Sequence, residues 1–182
     1  EKKKHTNNSE TPLVSIITPL YNASKFILQN ITSVQAQTYS NWEQIIVDDA
    51  SSDDSASLVK KISIEESRIT FIQLDKNQGA AYCRNLATER AKGNYIAFLD
   101  SDDYWHPEKL ERQLKLMQNE NASVSFTSYL HIDEDGNPLK KRILAMPKLS
   151  YKKQLLNNYV GNLTGIYNAS EIGIIAAPNI RK

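Results

Sequence analysis

Apolar residues along this chain come in short runs, separated by segments with a helical repeat. The first run is LVSIIT at residues 13–18, closed by Pro19. Between residues 24 and 37, Phe26, Ile27, Ile31 and Val34 recur at the three- and four-residue spacing of one helix face. WEQIIV at residues 42–47 is the second run and ends in Asp48 and Asp49. Residues 51–54 then offer serine and aspartate N-caps to a helix bearing Leu58, Val59 and Ile62. A third run occupies residues 69–74, and residues 78–92 predict a helix that Gly93 stops at its C′ position. The fourth run, residues 95–99, leads into Asp100-Ser101-Asp102-Asp103, and Pro107 suits the first turn of a helix reaching residue 119.

Beyond that helix the period changes. Residues 123–131 and 139–145 flank Asp133-Glu134-Asp135-Gly136-Asn137-Pro138, the pattern of a hairpin with an acidic turn. Residues 150–157 read as a short helix and 162–167 as a final strand. The alternation predicts an α/β fold. Its mostly parallel sheet is flanked by crossover helices, βαβαβαβ over the front two-thirds, with an α+β extension at the C-terminal end.

Composition narrows this only a little. At 182 residues, 40% hydrophobic and 24% charged, the chain suits one soluble domain with a real core. A net charge of +1 gives no global reason to expect nucleic acid as a partner. The single cysteine, Cys83, makes no internal disulfide, which fits a reducing compartment. No run reaches the length of a membrane helix, and no signal peptide opens the chain. The polar start, with its Lys2-Lys3-Lys4 run, reads as a solvated tail.

Ligands on such sheets bind at the carboxyl ends of the strands, where two acidic clusters fall. In Asp100-Ser101-Asp102-Asp103 the crowded carboxylates repel unless a cation or donor compensates. Carboxylates two residues apart at a strand end can share a hard divalent ion that a diphosphate and water complete. The competing reading is a solvated turn that caps the next helix. In Asp48-Asp49-Ala50-Ser51-Ser52-Asp53-Asp54, capping suits Ser52 or Asp53, while Asp49 stands where a ligand would lie. Arg84 follows Gly79 and Ala80 near a helix start and carries a fork matched to phosphate oxygens.

Taken in order, Thr18-Pro19-Leu20-Tyr21-Asn22, the Gln37-Thr38-Tyr39 turn, Val47-Asp48-Asp49-Ala50-Ser51-Ser52-Asp53, Arg84-Asn85 and Leu99-Asp100-Ser101-Asp102-Asp103 closely resemble the family 2 glycosyltransferases. The resemblance is strong over residues 13–131 and looser beyond. It implies a GT-A (Rossmann-like) fold and a nucleotide-diphosphate sugar donor, a UDP-sugar most often. On that resemblance Thr18 and Asp49 contact the base, with Pro19 and Tyr21 beside them. Asp100 and Ser101 meet the ribose or neighbouring sugar, Asp102 bridges a Mn2+ or Mg2+ ion, and Arg84 supports the nucleotide. Asp48 is a supporting residue. The division implied is a polar tail over 1–12, a nucleotide-sugar-binding part over 13–131, and the start of an acceptor part over 132–182. The reaction implied is an inverting transfer to an acceptor hydroxyl. The acceptor is a saccharide or lipid-linked saccharide, in cell-surface polysaccharide or glycolipid synthesis, at the cytoplasmic side with peripheral membrane association.

One departure stands out. The family's base is an acid in a later motif followed by a Trp-Leu pair, and no such motif occurs before Lys182. Glu171 reads as a helix-start residue, and Asp133, Glu134 and Asp135 as hairpin-turn residues. The expectation is a base beyond Lys182, in a chain that stops short of it. A nucleotide-sugar-binding pseudo-enzyme is the alternative. His106 reads as a helix-start residue, and His131, at a strand end near an acceptor cleft, is left out of the site. Three scattered histidines make no zinc site. A receiver domain would need its acidic pair after the first strand. A dinucleotide enzyme or a nucleotidyltransferase would need a Gly-rich loop there; Thr18-Pro19 occupies that place.

Overall fold

The first apolar run becomes β1 (Val14–Leu20), every residue of which is buried. Parallel neighbours flank it on both sides, so both its faces are covered and no polar alternation is needed. The computed structural model describes residues 11–133, 135–156 and 160–178. Around β1 stand β2 (Trp42–Asp48), β3 (Ile69–Gln73) and β4 (Tyr95–Phe98), all parallel, with crossovers α1 (Ile27–Gln35), α2 (Ser55–Glu65) and α3 (Ala80–Arg90). α4 (Lys109–Glu120) follows β4 and ends on Asn121 in the left-handed conformation. Pro19 lies inside β1, not after it, and pairs with Val47. Its missing N–H is tolerated because β4 has already ended alongside Ile17.

The C-terminal part departs from the sequence-based expectation. Residues 123–131 split into β5 (Val124–Ser125) and β6 (Tyr129–Ile132). Only β6 joins β7 (Pro138–Ile143) in the hairpin, a separate two-stranded sheet. Residues 162–167 divide into a 3-10 helix (Asn162–Thr164) and β8 (Ile166–Asn168). β8 pairs antiparallel with both β4 and β5, giving the order β3-β2-β1-β4-β8-β5. The extension therefore completes the main sheet. The short helix appears as α5 (Tyr151–Leu156), and α6 (Ala169–Ile172) closes the described elements.

Gly93 is also not the C′ glycine expected. α3 ends on Ala91 in extended conformation, and the positive-φ glycines are Gly79, Gly136 and Gly173. Gly93 lies against β1: a Cβ there would stand 2.7 Å from the Leu13 carbonyl oxygen, the Ser15 N and the Ser15 Oγ. Its N–H donates to Ser15 Oγ at 2.8 Å. The N-cap of α2 is Asp54, not Ser52 or Asp53, and its side chain makes no cap hydrogen bond; Asp53 still serves the first helical N–H. Asp53 accepts from the Ser55 N–H and, with its other oxygen, from the Ser24 N–H. Ser52 instead donates its N–H to Asn22 Oδ1.

One core packs α1, α2 and α4 on a single face of the sheet; a second packs α3 on the other. The Gln37-Thr38-Tyr39 turn locks α4 to the end of α1. Gln37 donates to the carbonyls of Ser33 and His106 and accepts the Leu110 N–H. Thr38 donates its N–H to the Pro107 carbonyl. Farther along α4, Lys109 is buried with its Nζ 4.1 Å from the Trp105 ring and 2.6 Å from Gln113 Oε1. Among the described residues no carboxylate pairs with it, and burial holds its ammonium down at about 7 against an ordinary 10.5. Between those values the unfolded chain binds a proton that the folded chain does not, so this residue makes stability rise with pH. Below them both states are charged and the burial cost is full. The stability difference between Lys109→Met and the parent is therefore expected to move in the parent's favour as pH rises from about 7 toward about 10. Urea midpoints of both proteins across that window check it; a pH-independent difference would remove the assignment.

Candidate functional site: the acidic rim of the parallel sheet

The carboxyl ends of β1, β2 and β4 open on one rim, and their loops are tied together before any ligand is considered. Asn22, at φ 47°, accepts the Ser52 N–H, while its own N–H donates to Ser51 Oγ. Asp48 is fully buried and accepts from both the N–H and the hydroxyl of Ser51. Ala50 takes φ 60°, a left-handed conformation that costs an alanine about 1 kcal/mol. The local strain sits in the loop that presents Asp49.

Asp49 is 3% exposed, and its two oxygens accept the N–H groups of Gln78 at 2.6 Å and Gly79 at 2.9 Å. It holds the entry to α3, where Gly79 at φ 91° brings the backbone close. Beneath it the Cys83 thiol is buried and pushed up to about 12, first by burial and then by the Asp49 charge. A thiol held in that state is a structural group, not a nucleophile.

Asp100 receives Arg84 Nη2 at 2.6 Å and Asn162 Nδ2 at 3.1 and 3.2 Å. The Arg84 Nε is buried with no hydrogen-bond acceptor among the described residues. Ser101 is buried, and Asp102 is exposed on the rim. Asp103 is half-buried, and burial pushes its carboxyl up to about 6, helped by the charges of Asp102 and Asp100. Asp102 and Asp103 open on a cavity of about 330 Å³ whose other walls include Phe26 and Gln29 of α1 and Tyr129, His131 and Asp133 of the hairpin.

The expected site residues thus gather on one rim with two exceptions of detail. Tyr21 is there but points outward, 53% exposed. Thr18 is fully buried, and its hydroxyl accepts from Gln44 Nε2 at 3.1 Å, inside the sheet face covered by α1. That contact leads to a residue not foreseen from sequence. Asn30, fully buried on α1, accepts from Gln44 Nε2 at 2.9 Å. Its own amide donates to the carbonyls of Asp100 at 2.8 Å and Asp103 at 2.9 Å. It fixes the backbone of the acidic loop. Its signal was present: one amide on the face otherwise made of Ile27, Ile31 and Val34. Asn162 carried no local signal, because its partner Asp100 lies far back in the chain.

The hairpin acids behave as turn residues. Asp133 accepts the N–H groups of Asp135 and Asn137; Glu134 lies outside the described residues. Glu171 sits in the first turn of α6 and accepts from Ser123 Oγ. His106 is exposed at the start of α4, and its carbonyl accepts the Lys109 N–H. Among the described residues no three His, Cys, Asp or Glu side chains form a ready metal cluster.

A mostly parallel sheet with an antiparallel strand inserted beside β4, and an arginine-braced acidic loop at its rim, defines a GT-A glycosyltransferase domain. The crystal structure of S. aureus TarS in complex with UDP is similar at TM-score 0.72 and 26% identity, over 91% of this chain and 50% of that one. The chain belongs to glycosyl transferase family 2, whose family model matches residues 15–173. Over 170 residues it is 45% identical to a Bacillus subtilis protein assigned to teichuronic acid biosynthesis as the glycosyltransferase TuaG, covering 93% of this chain and 68% of that protein. It is 39% identical over 170 residues to the Escherichia coli enzyme WfgD, named as a UDP-Glc:alpha-D-GlcNAc-diphosphoundecaprenol beta-1,3-glucosyltransferase, covering 93% of this chain and 66% of that protein. The chain spans about two-thirds of the length of these relatives and half of the TarS chain.

Proposed function

We propose that this domain binds a UDP-sugar across the rim and serves inverting transfer of the sugar to a hydroxyl of a saccharide or lipid-linked saccharide, in cell-surface polysaccharide or glycolipid synthesis. One observation carries the reading: the loops after β2 and β4, with Arg84 on α3, bring Asp49, Arg84, Asp100 and Asp102 onto one edge of the sheet, with a cavity beside Asp102. The relative TarS binds UDP, and WfgD is named for a UDP-glucose donor and a lipid-diphosphate-linked acceptor, which favours the same substrate classes here. In this reading Asp49, with Pro19 and Tyr21, frames the base, while Thr18, turned inward to Gln44, supports the strand beneath it and does not contact the base as the resemblance implied. Arg84 orients Asp100 toward the ribose, and Ser101 supports that loop.

The donor set also fits a divalent ion, Mn2+ or Mg2+. Asp102 is exposed at the cavity, while Asp100 is engaged by Arg84 and Asn162 and Asp103 is half-buried. One open carboxylate suits an ion completed by phosphate oxygens and water, not one caged by protein. Asp102 would hold it, and the bound ion would offset charge on the departing diphosphate. In this reading transfer to a lipid-linked acceptor proceeds at the inner face of a membrane. Among the described residues no helix is long and apolar enough to cross one.

Calorimetric titration of UDP, with Mn2+ and with chelator, tests this. UDP is expected to bind only with the metal, and Asp102→Ala to weaken that binding by at least about tenfold, about 1.4 kcal/mol. No binding in either condition, or an unaffected variant, would refute the assignment.

A further inference from the structure

All 21 acidic residues of the chain lie outside residues 136–170, a stretch that carries six basic ones: Lys140, Lys141, Arg142, Lys148, Lys152 and Lys153. The chain's near-neutral total conceals this polarity. All six are exposed, three on β7 and two on α5. The β6–β7 hairpin is a separate sheet, and no third strand pairs with it among the described residues. Leu130 pairs with Arg142 across it, so alternation along β7 puts Lys140 on the same face as both. That face is solvent-facing, with Leu130 52% exposed; Leu139 and Leu144, nearby on the same strand and just past its end, are 48% and 68% exposed. The opposite face carries Tyr129, packed toward Gly161, where an added Cβ would meet its ring at 3.0 Å.

Basic side chains interleaved with exposed leucines suit a surface that is anionic on the outside and apolar just beneath. We infer that the β6–β7 hairpin, with α5 beside it in sequence, seats this domain on the headgroup layer of an anionic lipid bilayer. Lysine and arginine meet the lipid phosphates, and the leucines enter the apolar boundary. An acidic polymer would satisfy the charges equally but has no use for the leucines, which decides between the two. The geometry has a functional consequence. Tyr129, Leu130, His131 and Asp133 of the same hairpin wall the cavity beside Asp102, so a seated hairpin holds that cavity at the lipid surface, with Leu130 at its mouth. An acceptor hydroxyl carried on a lipid would then reach it without the lipid leaving the bilayer. The surface itself rests on charge and exposure and stands independently of the donor assigned above.

Vesicle sedimentation of the whole chain, without nucleotide, tests the inference. The chain is expected to sediment with vesicles containing phosphatidylglycerol at about 0.1 M salt, and not with pure phosphatidylcholine. A combined Lys140→Gln, Lys141→Gln, Arg142→Gln variant is expected to bind about a hundredfold more weakly, at about fivefold per basic residue. Leu130→Ser with Leu144→Ser is expected to weaken binding that remains at high salt. Lys60→Gln with Lys61→Gln, exposed on α2, should change nothing. Circular dichroism melts confirm that each variant folds. Equal binding to neutral vesicles, no loss in the hairpin variants, or retention on dextran sulfate without vesicle binding would each overturn the proposal.

Discussion

Replacing Asn30 with alanine is expected to destabilise the domain by about 3 kcal/mol and to weaken UDP binding as well. Its amide group serves both carbonyls of the acidic loop and its oxygen accepts from Gln44, all in a fully buried setting. Alanine would strand these partners away from water. Each buried polar group left unpaired costs about 1–3 kcal/mol, partly offset where the loop relaxes. That relaxation is the functional half of the prediction. The Asp100 and Asp103 carbonyls bracket Asp102, so a loosened loop moves the carboxylate assigned to the metal and diphosphate. Urea unfolding and UDP titration of the same variant read both halves. A loss under about 0.5 kcal/mol would mean that water replaces the amide without strain. Normal stability with lost binding would confine the role of Asn30 to the loop.

Gly93→Ala is expected to cost about 3 kcal/mol or more, or to prevent soluble folding, although a helix-stopping glycine would predict a smaller loss. The new methyl would stand 2.7 Å from the Leu13 carbonyl oxygen just before β1, and from the N and Oγ of Ser15 within it. β1 is held on both sides by parallel partners, so it cannot yield without disturbing the sheet that carries the site. Gly173→Ala provides the contrast. That glycine has φ 78° and ψ −177°, a region essentially reserved to glycine, with nothing near where a Cβ would stand, so only the backbone conformation is penalised, by about 1–3 kcal/mol. Melting temperatures of the two variants separate steric exclusion from backbone preference. Equal small losses would show that β1 can shift.

The parallel half of the fold was readable because β1, β2 and β4 are covered on both faces and are therefore mostly apolar. The spacing of Ile27, Ile31 and Val34, or of Leu58, Val59 and Ile62, likewise has no competing use. The family motifs were readable for a related reason. Val47-Asp48-Asp49 and Leu99-Asp100-Ser101-Asp102 place charge where a strand ends, and only a loop facing solvent or ligand accepts it there. β8 and β5 were harder. Three and two residues long, they are too short to show a period, and their place in the sheet depends on pairing with β4. The same limit hid Asn162, whose partner Asp100 belongs to another part of the chain.

What the amino-acid order determined by itself was the local half of the protein: which stretches are strands, which face of each helix is apolar, and which loops carry acids. Those properties follow from side-chain chemistry over a few neighbouring residues. Tertiary structure alone decided the rest. It set Gly93 against β1, turned Thr18 inward to Gln44, and gave Asn30 the task of holding the acidic loop. It also slipped β8 between β4 and β5, and made the basic hairpin a separate sheet that walls the cavity beside Asp102. Each of these depends on distances between residues remote in sequence, and such distances exist only once the sheet has formed.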